Sequence, residues 1–167
     1  MRPVRPVRPV RPVRRAPVVG ADVDTDLVHR EAAVRVARLG QRYTTSRRSL
    51  VEAIVAAERP MTVPEVVAAT HDVPTSSAYR NITVLHEAGV LRRVAGSGDH
   101  GHFELAEDLV GHHHHFLCGQ CGSVADVAVS PELERALAEA AQAVADEQGV
   151  EVTDHSFDLM GRCATCR

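Results

Sequence analysis

The chain contains no lysine, few aromatic residues and no long apolar run. Only 3% of its 167 residues are aromatic, so a folded core must consist mainly of valine, alanine and leucine. No run of about 18 apolar residues is present, which argues against a membrane-spanning helix. The basic N-terminus is not followed by an apolar segment, so we expect no secretory signal and a cytoplasmic protein. Arginine is the only basic residue besides histidine, which we interpret as a genome composition bias.

Charge is distributed unevenly, although the net charge of the chain is only −3. Residues 29–97 carry ten arginines against six acidic residues, whereas residues 98–167 carry three arginines against thirteen acidic residues. A basic front half is suited to phosphate groups, and an acidic back half rich in histidine and cysteine is suited to cations. The pattern therefore predicts two units with different tasks.

The N-terminal segment has a three-residue repeat, RPVRPVRPVRPV, over residues 2–13. Proline at every third position favours a polyproline II conformation without a core of its own. We predict a disordered arm over residues 1–26, with ordered structure beginning near Leu27. An arm that holds DNA electrostatically is the alternative interpretation.

The segment from Leu27 to Gly89 has helical periodicity, followed by two short strand patterns around a turn-rich connector. Helices are predicted over Val28–Leu39, from Thr45 or Ser46 to about Glu58, over Pro64–Thr70 behind a Thr62 cap, and from Thr75 or Ser76 to Ala88. The strands are predicted at Val90–Val94 and Gly101–Leu105. Helices followed by a hairpin predict a winged-helix DNA-binding domain over residues 27–106.

The last predicted helix of this domain has the features of a recognition helix. Polar residues cluster at its N-terminal end, where such a helix meets the major groove: Ser76, Ser77, Tyr79 and Arg80. The Tyr79 ring can contact a thymine methyl group, and Arg80 can bind phosphate or guanine. Arg92 and Arg93 are placed in the wing for contact with the DNA backbone. A solvated helix face is the alternative explanation of this pattern.

The segment after Gly111 changes character and predicts a small α/β unit over residues 107–167. Its predicted elements are strands at His112–Cys118 and Ser123–Val129, a helix from Pro131 to about Gln148 and a strand at Val150–Met160. The whole chain is therefore predicted to have an α+β fold.

Two Cys-x-x-Cys pairs, Cys118 with Cys121 and Cys163 with Cys166, are the strongest chemical signal. Four thiolates at this spacing can hold one zinc ion tetrahedrally and so stabilise the fold. A redox-active dithiol is the alternative.

Four consecutive histidines precede the first cysteine pair. In a strand, successive side chains point to opposite faces, so His112 and His114 share one face and His113 and His115 share the other. One segment can therefore supply two metal sites. Further candidate ligands are Glu104, Glu134, His155, His100 and His102. We expect His29, His71 and His86 to lie outside the metal sites.

Taken together, these motifs resemble the Fur superfamily of metal-responsive repressors. The resemblance runs from about Leu39 to Cys166 and is carried, in order, by LGQRYTTSRRSLVEAI, SSAYRNITVLHEAGVLRRV, HFEL, HHHHFLCGQCG, VTDHSFDLMG and CATC. It implies a homodimeric winged-helix repressor, not an enzyme, that binds an inverted-repeat operator in double-stranded DNA when loaded with metal. A peroxide-sensing repressor of the same fold and a metal storage or delivery protein are the alternatives.

The resemblance also implies three metal sites. The structural zinc site falls on Cys118, Cys121, Cys163 and Cys166. The regulatory site falls on Glu104, His113 and His115, and we expect His102 or His100 to complete it, since Arg59 and Pro60 stand where many members supply a further ligand. The second site falls on His112, His114, Glu134 and His155. The expected regulatory metal is Zn²⁺ or Fe²⁺, with Mn²⁺ and Ni²⁺ also possible.

Overall fold

A computed structural model describes residues 23–94 and 101–166 of the chain. Within these ranges the strands form two three-stranded sheets, and helices accompany each sheet. The α+β prediction is therefore confirmed. Nearly all of the predicted N-terminal arm and the tip of the wing, including His100, lie outside the described residues. No helix in the described ranges is long and apolar enough to cross a membrane.

Helices dominate the first half, and their ends follow local capping rules. The helices are α1 (Thr25–Arg38), α2 (Thr45–Ala57), α3 (Val63–Ala69) and α4 (Thr75–Glu87). The hydroxyl of Thr44, one residue before the predicted cap, accepts a hydrogen bond from the N–H of Arg47 and starts α2. Thr62 and Glu65 form a reciprocal capping box at α3.

The first sheet, which includes the wing, packs against these helices. Strands β1 (Met61–Thr62), β2 (Leu91–Val94) and β3 (His102–Leu105) pair antiparallel in the order β1-β3-β2, with Arg92 opposite Glu104. Leu50, Ile82 and Leu85 are among the fully buried residues of the core between helices and sheet. The two-residue strand β1 was not predicted, because it is too short to show alternation.

The second half contains the remaining elements: α5 (Glu107–Val110), β4 (His114–Cys118), β5 (Val124–Val127), α6 (Pro131–Gln148) and β6 (Asp158–Gly161). Strand β4 lies in the centre of the sheet, antiparallel to β5 and parallel to β6. The predicted strand over Val150–Met160 is wrong for residues 150–157, since only the last part pairs with β4. The short helix α5 was not predicted.

Two arginines hold α5 against the winged-helix half. The guanidinium of Arg35, on α1, donates to both carboxylate oxygens of Asp108 at 3.2 and 2.5 Å. Arg92, on β2, forms an ion pair with Glu107 at 2.6 Å. Because α5 leads directly into the histidine run, these contacts set where the run lies relative to the wing.

Candidate metal centres and DNA-binding surface

The cysteine cluster forms where two parallel strands end side by side. Strand β4 ends at Cys118 and pairs with β6, so the turn that carries Cys121 meets the segment that carries Cys163 and Cys166. The four sulfur atoms lie within 4.8 Å of one another, and Sγ of Cys121 is 3.7 Å from Sγ of Cys163. Four sulfurs around one tetrahedral zinc are about 3.8 Å apart, so the donor set fits zinc.

The surroundings of the cysteine cluster favour thiolate at one position and oppose it at another. Burial works against ionisation of Cys118, but backbone N–H groups of Cys121, Cys163 and Gln120 outweigh it and lower its pKa to about 6. Hydrogen bonding to Cys163 and the surrounding sulfurs instead raises the pKa of Cys166 to about 12. Four adjacent thiolates therefore need a cation to balance their charge.

A second group of ligand atoms joins the wing to the histidine run, and we call it the hinge cluster: Glu104, His113, His115 and Asp126. Oε2 of Glu104 accepts hydrogen bonds from Nε2 of His113 at 3.3 Å and from Nε2 of His115 at 3.0 Å. Its Oε1 accepts one from Nε of Arg92 at 2.5 Å. The carboxylate, on a residue that is only 5% exposed, thus has charged or polar donors on both oxygens.

Electrostatics in the hinge cluster favour an ionised carboxylate. Burial alone would raise the pKa of Glu104, but His113, His115 and Arg92 together lower it to about 2. Burial likewise opposes protonation of His113, yet its hydrogen bond to Glu104 raises its pKa above the usual value. The cluster is therefore an anionic oxygen with adjacent imidazoles, a donor set that suits a borderline divalent cation.

The fourth member of the hinge cluster is not the expected one. Asp126, on β5, lies opposite His115 in the β4–β5 register, and sequence reasoning missed it. His102 is on β3, two residues before Glu104, but its ring is not among the ligand atoms of the cluster. Burial lowers the pKa of His102, and the charged groups that act on it are Glu65 and Arg59. Asp126 thus lies where we expected a wing histidine to complete the group of ligand atoms.

The other two histidines of the run face a third group of ligand atoms. We call this group the distal cluster, and it contains all four predicted residues: His112, His114, Glu134 and His155. The Glu134 carboxylate accepts one hydrogen bond, from Nε2 of His114 at 2.8 Å, and lies 3.2 Å from Nε2 of His155 and 3.3 Å from Nε2 of His112. Its hydrogen bond with His114 lowers the pKa of Glu134. The structure therefore groups the histidines in the predicted pairs, although the strand begins only at His114 and not at His112 as predicted.

The predicted recognition helix presents its polar face to solvent. Ala78, Ile82 and Leu85 are buried, whereas Ser76, Tyr79 and Arg80 are exposed, with Tyr79 at 46%. Ser77 is half-buried, and Arg93 is exposed on β2. The structure instead turns Arg92 inward to Glu104 and Glu107, so Arg92 is not free for the DNA contact that we expected of it.

A buried arginine positions this helix. Arg47, on α2, donates to the side-chain oxygen of Asn81 on α4 at 3.1 Å and to the carbonyl of Arg42 at 2.5 Å. It is only 7% exposed, which excludes a direct role in binding DNA. Sequence reasoning missed Arg47, because only the tertiary contact distinguishes it from the surface arginines around it.

The fold and the clusters define a class of protein: a winged-helix protein whose wing shares a buried histidine–carboxylate cluster with a cysteine-bearing α/β unit. A family model described as the ferric uptake regulator family matches residues 38–160. This match covers more than half of the chain, so the chain belongs to the ferric uptake regulator family.

Individual relatives are moderately similar. The chain is 29% identical over 96 residues to the ferric uptake regulation protein of Legionella pneumophila, a match that covers 58% of this chain and 65% of that relative. It is 31% identical over 130 residues to the protein of the same name from Pseudomonas aeruginosa, covering 75% of this chain and 92% of the relative.

Solved structures show the same fold. The Helicobacter pylori ferric uptake regulator, described with three functional metal binding sites, superposes with a TM-score of 0.68 at 18% identity, covering 85% of this chain and 93% of that one. A zinc uptake regulator complexed with zinc and DNA gives a TM-score of 0.52 at 17% identity, covering 85% and 94%. At these identities the likeness concerns the fold.

Proposed function

We propose that this protein is a metal-dependent DNA-binding repressor that controls metal homeostasis genes, with zinc or iron as the sensed metal. The observation that carries the proposal is the hinge cluster. Glu104 comes from the wing, whereas His113 and His115 come from the histidine run that opens the second sheet. A cation held by both parts fixes the orientation of the recognition helix relative to the rest of the molecule.

The switch works through charge and protons on this chain's own residues. In the metal-free hinge cluster, the hydrogen bond with Glu104 favours the protonated form of His113. Binding a cation requires neutral imidazole, so His113 must release its proton as the site loads. A divalent cation held by Glu104, His113 and His115 would supply a fixed positive charge in place of that proton. The result is a two-state hinge whose balance follows metal concentration.

The metal assignments follow from donor chemistry. Cys118, Cys121, Cys163 and Cys166 would hold structural zinc, since four thiolates close the coordination shell. Glu104, His113, His115 and Asp126 would hold the regulatory ion, for which their nitrogen and oxygen donors suit Zn²⁺, Fe²⁺ or Mn²⁺. The distal cluster would hold the third ion. The relative from Helicobacter pylori, whose fold this chain shares, is described with the same number of sites.

A homodimer is part of the proposal, because the second half exposes the edge of a strand and several apolar side chains. Strand β6 is at the edge of its sheet, and its Met160 and Leu159 are 80% and 44% exposed. Helix α6 buries only Ala145 and exposes Leu133 and Val144. An open strand edge beside exposed apolar side chains favours pairing with a second copy. Two recognition helices related by a two-fold axis would read an inverted repeat in double-stranded DNA.

The decisive experiment is binding of operator-type DNA by the full-length protein with its tightly held zinc retained. Zn²⁺, Fe²⁺, Mn²⁺ and Ni²⁺ are titrated in turn while the bound metal is counted. We expect tight DNA binding when one of these metals binds in addition to the one retained zinc ion per chain. His113→Ala should abolish this metal dependence, whereas His86→Ala, an exposed histidine outside the clusters, should preserve it.

A second variant separates regulation from simple metal storage. Arg80→Ala removes an exposed cation from the proposed recognition face without touching a metal cluster. A repressor should then lose DNA affinity while its metal content stays the same. Normal metal uptake together with no DNA binding by the unmodified protein would contradict the proposal and favour storage or delivery.

A further inference from the structure

Hydrogen bonds and ion pairs run without a break from the hinge cluster to the distal cluster. Oε1 of Glu104 accepts from Nε of Arg92 at 2.5 Å, and Nη1 of Arg92 lies 2.6 Å from Oε1 of Glu107. Oε2 of Glu107 lies 3.3 Å from Nδ1 of His112. The other nitrogen of His112, Nε2, lies 3.3 Å from Glu134. Glu104 and Glu107 therefore each contact Arg92 with one oxygen, while the other oxygen contacts histidines of the hinge cluster or His112.

The two central residues, Arg92 and Glu107, belong to neither cluster and are partly buried. Their side chains are 28% and 16% exposed, so bulk salt screens their charges less than it screens charges at the surface. Arg92 is fixed by strand pairing opposite Glu104, and Glu107 opens the short helix α5. The pair thus connects the wing, the segment between the two halves and the histidine run.

We propose that the Arg92–Glu107 ion pair couples the two clusters, so that a cation in the hinge cluster weakens cation binding in the distal cluster, and the reverse. The inference rests on the proposed function only in requiring that both clusters bind metal. Because coupling free energy is reciprocal, either site can serve as the one that is probed.

The sign follows from how the charges are shared. Arg92 divides its positive charge between Glu104 and Glu107. A cation bound to Glu104 neutralises that carboxylate and repels the guanidinium, so Arg92 shifts its interaction toward Glu107. The hydrogen bond from Nδ1 of His112 to Glu107 then becomes weaker. Because such outer-shell hydrogen bonds raise the basicity of a histidine ligand, Nε2 of His112 then binds a cation less tightly.

Two other effects must be separated from this coupling. Two cations repel each other through space whether or not Arg92 is present. In addition, Asp154 lies 3.9 Å from Nδ1 of His112, and the ligand atoms of Glu107, His112 and Asp154 fall within 4.8 Å of one another, so a cation could bind there directly. The first effect survives removal of Arg92, and the second adds a further equivalent of bound metal.

The test is a Co²⁺ titration of the full-length protein in the absence of DNA, in competition with a chelator and with structural zinc retained. His113→Ala gives the affinity of the distal cluster alone, and His155→Ala gives that of the hinge cluster alone. The coupling factor is the overall two-site dissociation constant of the unmodified protein divided by the product of these single-site dissociation constants, so a factor above one means that the sites weaken each other. We expect the sites to weaken each other by at least about fivefold, within the usual range of coupling.

Arg92→Gln and Glu107→Gln are each combined with the same single-site variants. Both should reduce the coupling factor to the same value close to one, which reflects only the through-space repulsion between the two cations. The double variant should reduce it no further, since both residues act in one pathway. Arg35→Gln is the matched control: it breaks the other ion pair that holds α5, with Asp108, and should leave the factor unchanged.

Several results would overturn the proposal. They are no coupling in the unmodified protein, a factor that Arg92→Gln leaves intact, an equal effect of Arg35→Gln, or a third equivalent of Co²⁺ that Glu107→Gln removes. Failure of either cluster to bind Co²⁺ would also overturn it. Normal coupling without metal-dependent DNA binding would instead refute only the proposed function.

Discussion

Replacing Glu104 with glutamine should destabilise the protein substantially when the hinge cluster holds no metal. Its surroundings lower the pKa of this carboxyl from 4.5 to about 2. A difference of about 2.5 units at about 1.4 kcal/mol each corresponds to about 3 kcal/mol of folding free energy. Glu104 is only 5% exposed, so solvent screening removes little of this amount. We therefore expect Glu104→Gln to lower the free energy of unfolding by about 3 kcal/mol.

The pH of the measurement follows from the direction of the shifts. A carboxyl whose pKa is lowered by folding contributes its full stability above its unfolded value of 4.5 and loses it as the pH falls through about 2. His113 behaves in the opposite sense: its raised pKa contributes stability below 6.5, and this is lost as the pH rises through the folded value. At about pH 6 both contributions are present, so the effect of Glu104→Gln should be largest there.

Urea unfolding followed by circular dichroism measures the effect, after dialysis that removes weakly bound metal and leaves the structural zinc. Glu139→Gln is the control, because Glu139 is 74% exposed and meets Arg135 only at 4.0 Å. We expect it to change stability by less than about 0.5 kcal/mol. If the two variants destabilise the protein equally, the interpretation of the hinge cluster as a strongly stabilised carboxylate is wrong.

Further predictions concern zinc, pH and the core. Cys163→Ser should release the tightly held zinc and disorder the sheet formed by β4, β5 and β6, as measured by zinc content and circular dichroism, because its sulfur completes the tetrahedral set. Metal affinity of the hinge cluster should fall from about pH 8 to about pH 6 in competition titrations, since the raised pKa of His113 makes protons compete there. Leu85→Ala, at a fully buried position, should cost about 2–5 kcal/mol in urea unfolding, and Val34→Ala, at a position that is 48% exposed, far less.

The sequence predicted the first half well because its signals are local. Helical spacing predicted α4, whose residues Ala78, Ile82 and Leu85 are buried, and the cap residue Thr62 predicted the start of α3. These patterns depend on residues three or four positions apart, which a helix brings together regardless of the rest of the fold.

Strand β6 was overpredicted because alternation alone does not provide a partner. Residues 150–157 have an irregular conformation, with Val150 and Val152 at 53% and 40% exposure. Strand β4 offers positions for pairing with β6 only from His115 to Cys118, and these pair with Asp158–Gly161. The length of β6 is thus set by its neighbour, and nothing in the sequence of the segment itself indicates where pairing begins.

The composition of the hinge cluster depends on the turn that carries the cysteines. Cys118 and Ser123 are joined by a backbone hydrogen bond of 2.9 Å, and Gly122 donates to the carbonyl of Cys118 at 2.9 Å. This turn fixes the β4–β5 register that places Asp126 opposite His115. A slip of one residue would put an apolar neighbour of Asp126 in its place and turn the carboxylate to the other face of the sheet. The zinc ion that we propose for this turn would therefore also determine which ligands the hinge cluster presents. On that proposal, we expect removal of this zinc to weaken metal binding at the hinge cluster even when all hinge ligands are intact.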